Sequence, residues 1–356
     1  MMKLVFVTQT LDPAHPALAQ TVELVEALAE RVDELAVVTR EARIELDAVT
    51  VRTFDAASKF GRGIAFERAL VPTLRDADGV VVHMVPQFAL LAAPAAKARR
   101  VPLMLWYTHW HASRSLRAAT RVVDAALSVD EASYPIATSK LHALGHAIDV
   151  ERFDAPPATG HEGPLRVLAL GRTARWKGLA TLLDAAAVAI ASGADLELEI
   201  RGPSLTPDEV EHRRELSDRI EGDQQLRGRV RLLDPVARAD VPELLAAIDL
   251  LVSPNEPRTG STFDKAVFEA AACSRPVLST NPAFRPLLGD LPLPLLAPPR
   301  DAAGLSAALL TILSADTAER AAVGAELRRR VVEGHSLGHW ADGVIRVASE
   351  VRSPRG

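Results

Sequence analysis

The residues best suited to chemistry lie in two short stretches of the second half of the chain. In LVSPNEPRTGSTFDKAVFEAAACSRPVLSTN, residues 251–281, an apolar strand end (Leu251, Val252) runs into a polar loop. A helical run, Asp264 to Cys273, and a second short strand, Pro276 to Leu278, complete the unit. A loop entering a helix in this way gathers backbone N–H groups and the positive helix end at one point, which suits a phosphate or another anion. Glu269 falls about a turn and a half into the helix. Its carboxylate there can accept hydrogen bonds from the two hydroxyls of a ribose just beyond the phosphate. The plainer alternative is a strand–loop–helix whose Glu269 is solvated. The second stretch is VLALGRTARWKG, residues 167–178, in which a strand ends at Gly171, Arg172 follows, and Lys177–Gly178 opens the next helix. Two cations at a strand end suit a diphosphate, against the alternative of two surface cations.

What this second stretch lacks is also informative. Trp176 stands where a P-loop requires glycine, and Gly178 where it requires Ser or Thr. The segment VFVTQTLDP after the first strand holds no glycine, so no G-x-G-x-x-G is present there. Both absences weigh against an ATPase and a nicotinamide-dependent dehydrogenase.

The elements that must position these residues alternate strand and helix. Strands are expected at Leu4–Thr8, Glu34–Thr39, Val49–Phe54, Val80–His83 and Pro102–Tyr107, with short segments at Ala125–Val129 and Ala137–Leu141. Ala17–Arg31 has apolar residues at helical spacing, and Pro86–Gln87 reads as a loop. FDAPPATGHEGP, residues 153–164, has two adjacent prolines, two glycines and no apolar periodicity, and reads as a linker. The pattern then restarts with strands at Arg166–Leu170, Leu196–Arg201, Val230–Leu233 and Leu250–Ser253, and helices at Gly178–Ala191, Asp208–Ile220 and Val241–Ala246. Such an order predicts an α/β protein with two doubly wound parallel sheets and a ligand in the cleft between them. The expected boundaries are 1–155 for a first domain, 156–164 for the linker, 165–335 for a second domain, and 336–356 for an amphipathic C-terminal helix that packs back on the first.

Composition narrows the function classes. A chain of 356 residues exceeds the size at which one core stops growing. Its net charge of −5 gives no global attraction to nucleic acid. The single cysteine, Cys273, allows no internal disulfide and no cysteine metal site, in keeping with a reducing cytoplasm. MMKLVFVTQT is too short and wrongly flanked for a signal peptide, and no run approaches a membrane span. Only six of the 41 basic residues are lysine, which singles out Lys177 and Lys265 a little.

Taken together, the segments resemble glycosyltransferase family 4, retaining enzymes of the GT-B fold. VLALGRTARWKGLATLLDAAA looks like the opening of that family's donor domain, and STFDKAVFEAAACSRPV, residues 261–277, like its E-x7-E segment, with the second Glu at Glu269. HALGHAIDVERF, residues 142–153, resembles the N-G-V-D-x-x-x-F end of the first domain through His146, Ala147, Ile148 and Asp149. The resemblance implies a transferase that moves a sugar from a nucleoside-diphosphate sugar to an acceptor hydroxyl of a glycan, a lipid-linked sugar or a small molecule. Arg172 and Lys177 would clasp the diphosphate and stabilise its growing charge, with no cofactor and no metal required. The donor would also meet Gly171, Gly260, Ser261, Phe263, Asp264 and Lys265, while Glu269 held the ribose. His109, in YTHWHAS, would face the reacting sugar, with His111 as its competitor.

Three departures from the family pattern stand out. The first Glu of E-x7-E falls on Ser261, leaving Glu256 or Asp264 as substitutes; Thr262 and Asp264 occupy usual glycine positions; and LDPAH replaces a glycine-rich loop. They motivate an alternative, a nucleotide-sugar-binding GT-B protein with little or no turnover. A GT-B phosphorylase would need a lysine for pyridoxal phosphate, and none is convincing. Lys97–Arg100 (KARR) with Arg114, Arg117 and Arg121 fits weak peripheral contact with an anionic acceptor or the inner membrane face, against the alternative of solvated helix faces. Oligomeric state is left open by the sequence.

Overall fold

The computed structural model describes residues 2–15, 18–109, 111–256 and 264–352. The chain divides into two compact units, Met1–Ala147 with His335–Gly356, and Ile148–Gly334.

The first unit is built on strands β1 (Lys3–Leu11), β2 (Glu34–Ala42), β3 (Val49–Thr53), β4 (Gly79–His83), β5 (Leu103–Trp106), β6 (Ala125–Ser128) and β7 (Leu141–Ala143). They form one parallel sheet in the order β3-β2-β1-β4-β5-β6-β7. Helices α1 (Thr21–Ala29), α2 (Lys59–Thr73), α3 (Pro86–Ala98) and α4 (Arg114–Val122) connect them. The inner strands are buried on both faces, as β4 shows with GVVVH buried at every residue, which is why they read as continuous apolar runs. Pro86–Gln87, expected as a loop, begins α3: proline at the first helical position lacks only an N–H that would have no partner there. The expected helix over Ala17–Arg31 is shorter, since residues 18–20 form a turn and the helix starts at Thr21. The C-terminal helix, Leu337–Arg352, packs on this unit, with fully buried Trp340 edge-on to Trp106 at a centroid distance of 5.7 Å.

The second unit is a five-stranded parallel sheet of β8 (Leu165–Leu170), β9 (Leu196–Arg201), β10 (Val230–Leu233), β11 (Leu250–Ser253) and β12 (Val277–Ser279), in the order β10-β9-β8-β11-β12. Its helices are α5 (Leu179–Ala191), α6 (Pro207–Gly222), α7 (Val241–Ala246), α8 (Lys265–Ala272), α9 (Arg285–Leu288), α10 (Ala302–Ser314) and α11 (Thr317–His335). In α5 the buried residues Leu179, Leu182, Leu183, Ala186 and Ala189 recur at helical spacing and cover one face of the sheet.

The units divide at Ala147, ahead of the proline-rich stretch. Ile148 and Phe153 are buried in the second core, and Arg328 donates to the carbonyls of Val150, Phe153 and Ala272. An apolar pair and a half-buried guanidinium therefore tie residues 148–153 to the second unit before the prolines begin. Cys273, expected on the inner side of α8, caps its C-terminal end and is 1% exposed.

Candidate functional site

In the second sheet β8 is flanked by β9 on one side and β11 on the other, so the chain reverses its direction of winding between β8 and β11. Loops leaving the carboxyl ends of two such strands diverge and open a crevice, the usual ligand position in open parallel sheets. Here a small pocket forms at that point, lined by Gly171, Arg172, Lys177, Ser253, Asn255 and Asp264 among others.

Its walls are held in register by backbone contacts. After β8 the chain makes a short 3-10 turn over Arg175–Lys177 and enters α5 through Gly178, whose φ of 66° and ψ of 20° lie in the left-handed region. A Cβ on Gly178 would sit 1.9 Å from the Pro254 carbonyl oxygen, so only glycine lets the two loops approach this closely. Two residues on, the Glu256 N–H donates to the Trp176 carbonyl at 2.8 Å. Thr173, fully buried, donates to the Glu209 carbonyl at 3.1 Å and shares a hydrogen bond with Ser204 at 2.7 Å, while its own carbonyl meets His212 Nδ1 at 2.7 Å. The β8–α5 loop is thus fixed to α6 on one side and to the β11 loop on the other.

Among the described residues, both cations at the pocket are already paired with a carboxylate. Lys177 Nζ is 3.1 Å from Asp264 Oδ2, and both side chains are about nine-tenths buried (11% and 8% exposed). The same carboxylate oxygen accepts from Ser253 Oγ at 2.8 Å and Asn255 Nδ2 at 2.7 Å. Lys177 also lies over the Trp176 ring, 5.0 Å from its centroid. Arg172 forks onto Glu209, a carboxylate 4% exposed that also accepts from the Leu205 N–H at 2.7 Å. Two cations therefore face two anions, and the positive end of α8 starts beside Asp264.

Glu269 is buried rather than solvated, and its Oε1 is 2.7 Å from Arg238 Nη1. The Arg238 guanidinium lies over Phe153 at 5.1 Å, and its carbonyl accepts from Arg152 Nη2 at 2.8 Å. Glu256, one of the two substitutes for the missing carboxylate, pairs with Arg300 at 2.8 Å. Asp264, the other, lies in the pocket. Lys265 is the first residue of α8, and neither it nor Glu269 lines the pocket. Gly260, Ser261 and Phe263 fall outside the described residues.

His109 belongs to the first unit, three residues past the end of β5. Its Nδ1 accepts the His111 N–H at 3.0 Å, so the neutral ring carries its proton on Nε2. Partial burial first, and the neighbouring His111 second, push its pKa below the ordinary histidine value. The neutral form thereby gains at physiological pH. A third histidine, His83 at the end of β4, is buried, stacks on Phe6 and meets Thr8 Oγ1 at 3.1 Å; burial pushes its pKa down to about 4.

Sequence reasoning did not find Glu209, Arg238, Ser253 or Asn255. Glu209 had a local signal in Thr206-Pro-Asp-Glu209, a capping-box spacing at the start of α6. Thr206 Oγ1 accepts the Glu209 N–H at 3.3 Å, but the carboxylate turns to Arg172 and Leu205 instead of closing the box. Ser253 and Asn255 had only their place at a strand's carboxyl end to mark them.

Comparison with known proteins bears on the fold and on the second unit. Residues 164–315 match the family model described as glycosyl transferases group 1. Phosphatidyl-myo-inositol mannosyltransferase of Mycolicibacterium smegmatis is 34% identical over 177 residues, which are 49% of this chain and 43% of that relative, so the aligned part is under half of that protein's length. HepE of Anabaena in complex with UDP superposes with a TM-score of 0.77 at 19% identity, covering 98% of this chain and 100% of that one. Sucrose-phosphate synthase of Thermosynechococcus elongatus gives 0.73 at 17% identity, with 99% of each chain covered. The fold is GT-B, and residues 164–315 of its second unit are similar to the glycosyl transferases group 1 family.

Proposed function

We propose that this protein is a retaining hexosyltransferase that moves a sugar from a nucleoside-diphosphate sugar to an acceptor hydroxyl. The observation that carries the reading is the pocket at the β8–β11 switch point, where a glycine, two cations and a helix N-terminus converge. In the reaction the bond from the anomeric carbon to the diphosphate oxygen breaks as the acceptor oxygen bonds to the same carbon from the same face. The acceptor proton passes to the departing phosphate oxygen. Arg172 and Lys177 stabilise the charge that grows on the diphosphate, so the reading calls for no metal. Glu269 receives the ribose hydroxyls by exchanging its bond to Arg238. His109, neutral and protonated on Nε2, is the group we assign to position the sugar.

Two facts bear on the acceptor. The mannosyltransferase relative is named for a phosphatidylinositol substrate. Arg114, Arg117 and Arg121 lie exposed on α4, with exposed Lys97, Arg99 and Arg100 at the end of α3. A lipid-linked or other anionic acceptor, with peripheral contact at the inner membrane face, fits that charge. Among the described residues no helix is long and apolar enough to cross a membrane.

The second reading, a binding protein without turnover, is favoured by the internal pairing of both cations. Incubation with UDP-, GDP-, ADP- and dTDP-hexoses, following nucleoside-diphosphate release and product configuration, separates the two. Release with the donor's anomeric configuration kept in the product supports the transferase. Tight diphosphate binding without release from any donor supports the binding protein.

A further inference from the structure

We infer that Asp264 is an internal counter-ion of Lys177, standing where a ligand phosphate would stand, and that it sets the affinity and charge selectivity of the pocket. The inference rests on the donor-site reading and adds to it a residue that determines specificity. A position that the resemblance would give to glycine holds instead a carboxylate, 3.1 Å from the ammonium group and 9% exposed. Lys177 is then no free anchor for an anion: its charge is already met.

The pair is built to exchange. Asp264 Oδ2 keeps Ser253 Oγ at 2.8 Å and Asn255 Nδ2 at 2.7 Å when Lys177 leaves, so the carboxylate is not orphaned. The amide of Asn255 has only one chemically sensible orientation, because a carboxylate oxygen can accept only from its Nδ2. That fixes Asn255 Oδ1, buried at the same pocket, as an acceptor without a donor among the described residues. A buried acceptor in that condition points to a ligand that brings a hydroxyl or N–H. The pocket thus offers a cation that must first let go of its own anion, beside an acceptor awaiting a donor. A phosphate flanked by hydroxyls meets both requirements. Because the neighbouring Arg172 is likewise paired with Glu209, both cations among the described pocket residues are matched by an internal anion before a diphosphate arrives. A second phosphate should therefore add little affinity in the native protein.

The test is calorimetric titration of the full chain with UDP, GDP, ADP and dTDP and the matching monophosphates, for wild type, Asp264→Asn, Asp264→Glu and Asp264→Asn/Lys177→Met. The expected result is at least about tenfold tighter diphosphate binding in Asp264→Asn, a wider gap between di- and monophosphate, and no gain in Asp264→Glu. The gain vanishes in the double variant. If Asp264→Asn does not fold, Asp264→Ser reads the same effect. Unchanged or weaker binding in the neutral variants, with wild type still binding, overturns the inference and leaves the donor-site reading standing, as does a gain that survives loss of Lys177. If neither wild type nor variants bind any nucleotide, the donor-site reading fails and this inference with it.

Discussion

Replacing Gly178 by alanine should separate the two loops that make the pocket. In the left-handed conformation observed at Gly178, an L-residue costs roughly 1–2 kcal/mol. The new methyl would also stand 1.9 Å from the Pro254 carbonyl oxygen, well inside contact distance, so one loop must move by more than about 1 Å. Pro254 cannot move alone. The Glu256 N–H bond to Trp176, at 2.8 Å, is two residues away and would stretch, a further loss of about 1 kcal/mol. The sum is about 2–3 kcal/mol, or a fall in Tm of roughly 4–12 °C for a unit of this size. Gly193→Ala provides the control: it also has positive φ, but a Cβ there meets nothing within 4 Å, so only the backbone strain remains. Differential scanning calorimetry on both variants, with nucleotide titration of whichever folds, measures the difference. A Gly178→Ala protein that melts with the Gly193→Ala control and binds nucleotide like wild type would refute the claim that close loop approach builds the pocket.

Two further predictions concern protons. The imidazole of His83 titrates at about 4 in the fold because burial disfavours its charged form, against about 6.5 in the unfolded chain. Between those values the unfolded chain binds the proton and the folded one does not, so stability falls as pH drops from about 6.5 to 4, by about 3 kcal/mol at most. His335, also pushed down to about 4 by burial, adds in the same direction. Thermal melts of His83→Gln from pH 7 to 4.5 should show a shallower fall than wild type, and an equal slope would contradict the assignment. Burial pushes the Cys273 thiol up to about 12, so an aromatic disulfide reagent should leave the native protein unmodified and label one thiol in guanidinium chloride. Rapid native labelling would show that the α8–β12 corner opens.

Much of the fold was legible because parallel strands and their helices carry period and run-length signals. β9, LELEIR, alternates buried and half-buried residues, and its bounds follow from the sequence alone. The helices between β3 and β6 were harder. In α2 the segment GRG obscures the period, and α3 holds Pro86 and Pro94, so local propensity speaks against the helix that packing stabilises. At the candidate site the residue types and their strand-end positions were readable: Gly171, Arg172, Lys177 and Asp264 do come together. Their pairing was not. Whether Lys177 faces solvent or Asp264, and whether Glu269 is solvated or held by Arg238, depends on the register of loops leaving different strands. No periodicity encodes that register.

The most direct test of the central claim, that the β8–β11 switch point binds the diphosphate of a nucleotide sugar, is calorimetric titration of wild type, Arg172→Met and Lys177→Met with UDP, GDP, ADP and dTDP. The account predicts that one diphosphate binds wild type and that each variant, still folded by its melting curve, binds it at least about tenfold more weakly, or about 1.4 kcal/mol. A diphosphate that binds all three proteins equally, or none that binds wild type, would contradict it.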